Sequence, residues 1–251
     1  MSEELSCTLR AVAGVVIVPA RNESGSVGGV VQEIRKHVGW EVIVIDDASN
    51  DDTTIEARRS GAQVVRLPFR LGAWGALQAG MRYALRKGYR VAVTMDADGQ
   101  HSAKDVYTVA LPVIQRISDV AIGIAPERLS GSRSLACRVF SSITGLKLQD
   151  LTSGFRAYSS AAMQVLVSPG AALLNYQDVG VLLMVREAGM RATEVSVSMQ
   201  KRTNGRSRVY ESQFMVARYL METMILSAGK WRPSWHFDEM IVRANSVNEV
   251  S

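Results

Sequence analysis

Asp96 and Asp98 stand one residue apart in "MDADGQH" (Met95 to His101), directly after the apolar-biased run Arg90 to Met95. Two carboxylates this close repel each other, and partial burial at a strand end strengthens the repulsion. A divalent cation would relieve it. Residues two apart in an extended or turning segment can project to one side and offer two hard oxygen ligands. Mg²⁺ is held in this manner, by one or two carboxylates together with substrate phosphates, and Mn²⁺ accepts the same ligands. For an isolated pair the alternative is a solvated turn in which Asp98-Gly99 reverses the chain.

These carboxylates need a scaffold, and the chain supplies one by alternation. Val15 to Val18 is a short β-branched run broken by "PARNESGS", and Val27 to His37 shows helical spacing of Val27, Val30, Val31 and Ile34. "EVIVI" (Glu41 to Ile45) reads as a buried strand ending in Asp46 and Asp47. "SNDDT" offers helix caps ahead of Ile55 to Arg59. Ala62 to Leu67 reads as a third strand, Trp74 to Lys87 as a long helix and Arg90 to Met95 as a fourth strand. Strands alternating with helices predict a largely parallel sheet covered on both faces. Ligands of such sheets bind beyond the carboxyl ends of the strands. Polar chemistry collects there three times, at Pro19 to Glu23, Asp46 to Asp52 and Asp96 to His101.

The second half is less regular. Lys104 to Ile117 reads as a helix interrupted by Pro112, Val120 to Ile124 as a strand and Gly131 to Leu148 as a basic amphipathic helix. Tyr176 to Ala188 reads as a helix, Ala192 to Ser198 as an alternating strand and Tyr210 to Leu226 as a methionine-bearing helix. No repeat or clear linker divides the chain. One domain over 1–229 is expected, with a donor half (1–124) and an acceptor-side half (125–229), followed by a tail (230–251).

Composition narrows the classes. With 251 residues and 47% hydrophobic content the chain is globular, and no apolar run has the 18 or more residues of a membrane span. "MSEELSCTLR" carries acids where a signal peptide carries basic charge, so a cytoplasmic protein with reduced Cys7 and Cys137 is expected. The net charge of +5 suits a phosphate-bearing substrate, an anionic membrane surface or nucleic acid. Nucleic-acid binding is disfavoured: the basic loop "KRTNGRSR" has no interleaved aromatic residue.

"VPARNE" (Val18 to Glu23), "DDASNDDT" (Asp46 to Thr53), "DADGQH" (Asp96 to His101) and "SGFRAY" (Ser153 to Tyr158) follow one another in the order and rough spacing of family 2 glycosyltransferases. The chain resembles most the branch of dolichol-phosphate mannose synthases and bacterial polyprenyl-phosphate glycosyltransferases, from about Val15 to about Arg208. The resemblance implies an α/β fold of GT-A type, with a Rossmann-like, mostly parallel central sheet flanked by helices. It also implies a metal-dependent, inverting transfer of a sugar from a GDP- or UDP-sugar to a polyprenyl or dolichyl phosphate.

Residue by residue, the resemblance puts Pro19, Ala20 and Glu23 in the nucleotide pocket and Asp47 against the base or ribose. Asp96 and Asp98 become the D-x-D pair around Mg²⁺ or Mn²⁺, with Asp98 nearer the metal and Gln100 assisting. One of Asp46 and Asp47 is expected to have a capping or structural role. In "DLTSGFRAY", Arg156 would hold the acceptor phosphate or donor diphosphate, beside Ser153, and Asp150 would orient it or act as a base. Arg202, Ser207 and Arg208 in the basic loop, with Arg128, would bind phosphate on the acceptor side. Arg208 stands where the family usually has lysine.

The match departs from the family pattern at "RLGAWGALQAG", where Arg70 replaces an asparagine and Trp74 a glycine. The glycines there lack the spacing of a phosphate loop and read as close packing of a helix start against the sheet. Lys230, Trp231, Arg232 and Trp235, or Arg133, Arg138 and Lys147, would suit an interfacial membrane anchor. The competing readings are a family 2 enzyme with a soluble or saccharide acceptor, a nucleotidyltransferase, and a non-catalytic binding module. The oligomeric state is left open.

Overall fold

The computed structural model of the protein describes residues 12–125, 153–173 and 179–199. Its elements are β1 (Gly14–Ala20), α1 (Val27–His37), β2 (Glu41–Asp46), α2 (Thr53–Arg59), β3 (Gln63–Arg66), α3 (Gly72–Arg86) and β4 (Val91–Thr94). These are followed by α4 (Val106–Ile114), β5 (Val120–Ile124), β6 (Arg156–Ser159), α5 (Ser160–Leu166), α6 (Val179–Glu187) and β7 (Ala192–Ser196). Short 3₁₀ turns at Ala103–Asp105 and Pro169–Leu173 complete them.

The seven strands form one sheet in the order β3-β2-β1-β4-β6-β5-β7. All neighbours pair in parallel except β6, which runs antiparallel to both β4 and β5. The chain winds outward from β1 to β3, then returns to pair β4 on the other side of β1. That reversal opens a crevice beyond the carboxyl ends of β1 and β4, where doubly wound sheets bind ligands.

Both faces of the sheet are covered, which explains why β1 and Val91–Val93 of β4 are apolar rather than alternating. Val16, Val18, Val44 and Val93 pack under α1 and α4, against Val31, Ile34, Val109 and Tyr107. Ile17, Ile43, Ala92 and Ile122 pack on the opposite face, under α3, α5 and α6, with Trp74, Met81, Met163 and Leu182. Helix α3 comes close enough to the sheet that a Cβ on Gly80 would lie 2.5 Å from Ile17 Cγ2. Close packing is thus the role of this glycine.

Trp74 is also structural: it is buried, and its Nε1 donates to the Ala171 carbonyl at 2.8 Å. Gln78 and Arg82, one and two turns on, donate to the carbonyls of Leu166 and Val167. One edge of α3 is thereby fastened to the end of α5. No helix among the described residues is long and apolar enough to cross a membrane.

Two local readings differ from the sequence expectation, and one strand lies where the sequence suggests no element. Pro112 lies inside α4 instead of breaking it, and its carbonyl accepts from the amides of Ile117 and Ser118 beyond the helix end. Asp52, at the N-cap of α2, makes no side-chain cap bond; the Asp51 carboxylate accepts the Thr53 amide in its place. The segment "RAYS" is the strand β6.

Candidate active site

The loops after β1 and β2 are stapled together. The Asn22 amide donates to Ser49 Oγ (3.0 Å), the Glu23 amide to Thr53 Oγ1 (2.8 Å) and the Asn50 amide to Asn22 Oδ1 (2.9 Å). Asn22 and Ala48 both hold positive φ, 51° and 54°. Non-glycine residues rarely adopt this conformation unless their surroundings over-determine it, and such positions cluster at functional sites. Pro19 and Ala20 pair in register with Ile45 and Asp46, so the proposed pocket residues of both strands end side by side. The Glu23 carboxylate stays local, accepting from Ser26 Oγ at the N-cap of α1 at 2.8 Å.

The adjacent aspartates have separate duties. Asp46 is buried, and its carboxylate accepts the Ser49 amide at 2.8 Å and the Thr54 hydroxyl, with Arg66 Nε at 3.8 Å. Asp47 accepts the amides of Leu71 (2.6 Å) and Gly72 (3.0 Å), where the positive end of the α3 dipole favours a carboxylate. Its own amide donates to the Ala20 carbonyl, joining the ends of β1 and β2 to the start of α3. Asp51 carries a shifted pKa: burial pushes it up, but hydrogen bonds from Thr53 and Ser24 outweigh this and hold it below the ordinary value.

Asp96 and Asp98 follow β4 at the crevice. The Asp96 side chain is 49% exposed, and His101 Nε2 lies 3.3 Å from its Oδ2. Asp98 Oδ1 accepts the Gln100 amide at 3.0 Å, which tightens the turn. Behind Asp96 stands the turn of Ser153 to Phe155. A Cβ on Gly154 would lie 3.0 Å from both Asp96 oxygens, so this glycine is a wall of the carboxylate's space. Thr94 Oγ1 donates to the Gly154 carbonyl (2.7 Å) and Ser153 Oγ to the Gly123 carbonyl (2.6 Å), which ties the turn to β4 and β5. Arg156 is fully buried, with Nε donating to the Ser153 carbonyl at 2.8 Å.

The donor set suits a cation that arrives with its substrate. Among the described residues no three His, Cys, Asp or Glu side chains converge into a metal cage. Two adjacent carboxylates, one half-open, instead match a hard cation completed by phosphate oxygens.

The structure brings Pro19, Ala20, Glu23, Asp47, Asp96, Asp98, Gln100, Ser153 and Arg156 to one end of the sheet. Arg128, Asp150, Arg202, Ser207 and Arg208 lie outside the described residues. So do Cys7, Cys137 and every residue named for a membrane anchor. Thr94, His101 and Gly154 escaped the sequence reading as supports of Asp96. Only the histidine at a fixed distance from the aspartates gave a signal.

The model of the family described as "Glycosyl transferase family 2" matches residues 15–159, from β1 through β6. The chain belongs to glycosyl transferase family 2. It is a glycosyltransferase, and its seven-stranded sheet has the GT-A architecture.

This family 2 glycosyltransferase is 29% identical over 215 residues to the undecaprenyl-phosphate mannosyltransferase of Micrococcus luteus, a match covering 78% of this chain and 86% of that protein. It is 28% identical over 243 residues to the dodecaprenyl-phosphate galacturonate synthase of Rhizobium johnstonii, covering 90% and 70% of the two. Among solved structures, glucosyl-3-phosphoglycerate synthase of Mycobacterium tuberculosis, in complex with Mn²⁺, UDP and glucosyl-3-phosphoglycerate, superposes with a TM-score of 0.72. That match is 21% identical and covers 92% of this chain and 85% of the other, a likeness of fold.

Proposed function

We propose that this glycosyltransferase moves a hexose from a nucleoside-diphosphate sugar to a polyprenyl phosphate, with Mg²⁺ or Mn²⁺ at the donor diphosphate. The observation that carries the reading is the Asp96–Asp98 pair at the carboxyl end of β4, on the crevice where the sheet reverses direction. Asp96 and Asp98 would hold the cation, with Gln100 beside them; the cation supplies Lewis-acid stabilisation of charge developing on the leaving diphosphate. The joined ends of β1 and β2, with Pro19, Ala20, Glu23 and Asp47, form the nucleotide side.

An acceptor phosphate oxygen attacks the anomeric carbon from the face opposite the leaving group. The new C–O bond forms as the bond to the β-phosphate oxygen breaks, and that oxygen leaves with the electron pair as nucleoside diphosphate. The configuration inverts. A lipid phosphate is already an anion near neutral pH, so no strong general base is needed. Asp150 would orient the acceptor, and Arg128, Arg202, Ser207 and Arg208 would hold its phosphate. Arg156, buried against Ser153, supports the Gly154 turn from within in preference to direct phosphate contact.

The acceptor class rests on the two relatives, whose names specify undecaprenyl and dodecaprenyl phosphate with two different sugars. Calorimetry of UDP- and GDP-sugars with and without Mn²⁺ tests the donor side. Tight binding of one donor class that vanishes on chelation is expected; metal-independent binding of every donor contradicts the proposal.

A further inference from the structure

His101 has no part in the bond changes above, yet it lies against the carboxylate that anchors them. It is buried, with Nε2 3.3 Å from Asp96 Oδ2 and its ring packed at a 36° tilt against Phe155, at a centroid distance of 4.9 Å. An ionised carboxylate only accepts hydrogen bonds, so Nε2 carries the hydrogen. The other ring nitrogen, Nδ1, is buried with no hydrogen-bond partner among the described residues. An apolar side chain of similar shape would remove that unpaired atom, so the imidazole's contribution has to come through Nε2.

The backbone that carries the ring is also held, by the chain that follows β7. His101 forms an antiparallel bridge with Met199, and the Asp105 carboxylate accepts both the amide (3.1 Å) and hydroxyl (2.9 Å) of Ser198. The turn from His101 to Asp105 is therefore clamped to the chain that leaves β7. A rigid imidazole on one side of Asp96 and the bare Cα of Gly154 on another leave its carboxylate little freedom.

We infer that His101 is a positioning residue: its Nε2–H fixes the Asp96 carboxylate in the orientation that receives the cation and the donor diphosphate. This rests on the proposed donor site. Partners that orient a metal ligand in this way are worth about 10- to 100-fold in metal affinity.

The test is Mn²⁺ binding to the full chain with UDP, and separately with GDP, read as loss of the free-Mn²⁺ resonance signal, alongside thermal unfolding. His101→Phe keeps the ring contact and loses the donor, and should raise the Mn²⁺ Kd about 10-fold or more. His101→Gln places an amide nitrogen near the Nε2 position and should restore most of the affinity, while the shorter His101→Asn should not. A purely structural histidine would give Kd values that follow thermal stability, with no advantage for glutamine. Wild-type affinity in His101→Phe, or glutamine no better than asparagine, overturns the inference. If the phenylalanine variant does not fold, the glutamine–asparagine comparison decides alone. Wild-type protein that binds no Mn²⁺ with either nucleotide overturns the donor-site reading and this inference with it; wild-type binding with an unaffected His101→Phe overturns the inference only.

Discussion

A Cβ on Gly154 would press on Asp96, lying 3.0 Å from each carboxylate oxygen. Thr94 holds the two together by donating to the Gly154 carbonyl from the end of β4. The Ser-Gly-Phe-Arg segment and the two-aspartate turn are thus one packed unit. Gly154→Ala should displace the carboxylate by a few tenths of an ångström and lower kcat/KM for sugar transfer by about 10-fold, since misplacement of a reacting group is costly. Its thermal midpoint should stay near wild type. Unchanged transfer kinetics in this variant would mean that the contact has no bearing on the reaction.

Asp46 and Asp47 should separate into stability and binding. Asp46→Ala strips a buried acceptor from Ser49, Thr54 and Arg66, and should cost about 2 to 4 kcal/mol in urea unfolding. Asp47→Ala removes the acceptor at the start of α3, a loss of about 1 kcal/mol on the scale of a helix cap. It should also weaken nucleotide binding, measured by calorimetry on the folded variant. Stronger loss of nucleotide affinity in Asp46→Ala than in Asp47→Ala would reverse the assignment.

Trp74 should matter to the fold and not to the donor. Trp74→Ala is expected to destabilise by about 3 to 5 kcal/mol through the cavity it leaves. Trp74→Phe should cost about 1 to 3 kcal/mol by leaving the buried Ala171 carbonyl without its donor. Donor affinity of the folded phenylalanine variant should equal that of wild type; a change in donor preference would place this tryptophan in the site.

Asp51 gives the β1–β2 staple an acid limit. Its pKa lies below the ordinary carboxylate value: burial raises it, but hydrogen bonds from Thr53 and Ser24 outweigh burial. A carboxyl with a depressed folded pKa stabilises the protein fully above its unfolded pKa, and that contribution fades as pH falls through the folded value. Asp51→Asn should therefore melt below wild type at pH 7, and the gap should narrow as the pH falls below about 4. A gap that widens in acid contradicts this.

The sequence made the frame visible where burial is continuous. Val15–Val18, Val42–Ile45, Val91–Val93 and Val120–Ile124 are unbroken apolar runs because helices cover both faces of the sheet, and β5 matches its expected bounds. β6 was hidden for the same physical reason in reverse. "RAYS" has only four residues and no alternation, and its register comes from β4 and β5, strands distant in sequence. The aspartates at the strand ends were legible because charge is conspicuous after an apolar run. What orients them was not: the approach of Gly154 to Asp96, the Thr94 bond and the His101 contact all join residues at least five positions apart. Asp46 and Asp47 are adjacent and chemically identical, and only their partners distinguish them.

The most direct test of the central claim is transfer of labelled sugar from the UDP- or GDP-sugar that binds to undecaprenyl phosphate in detergent, with organic extraction of the product. Wild-type protein with Mn²⁺ or Mg²⁺ should place label in the lipid phase, and chelation or Asp98→Ala should reduce transfer by about 100-fold or more. Label that enters only a water-soluble acceptor, or transfer by Asp98→Ala at the wild-type rate with metal present, would contradict the account.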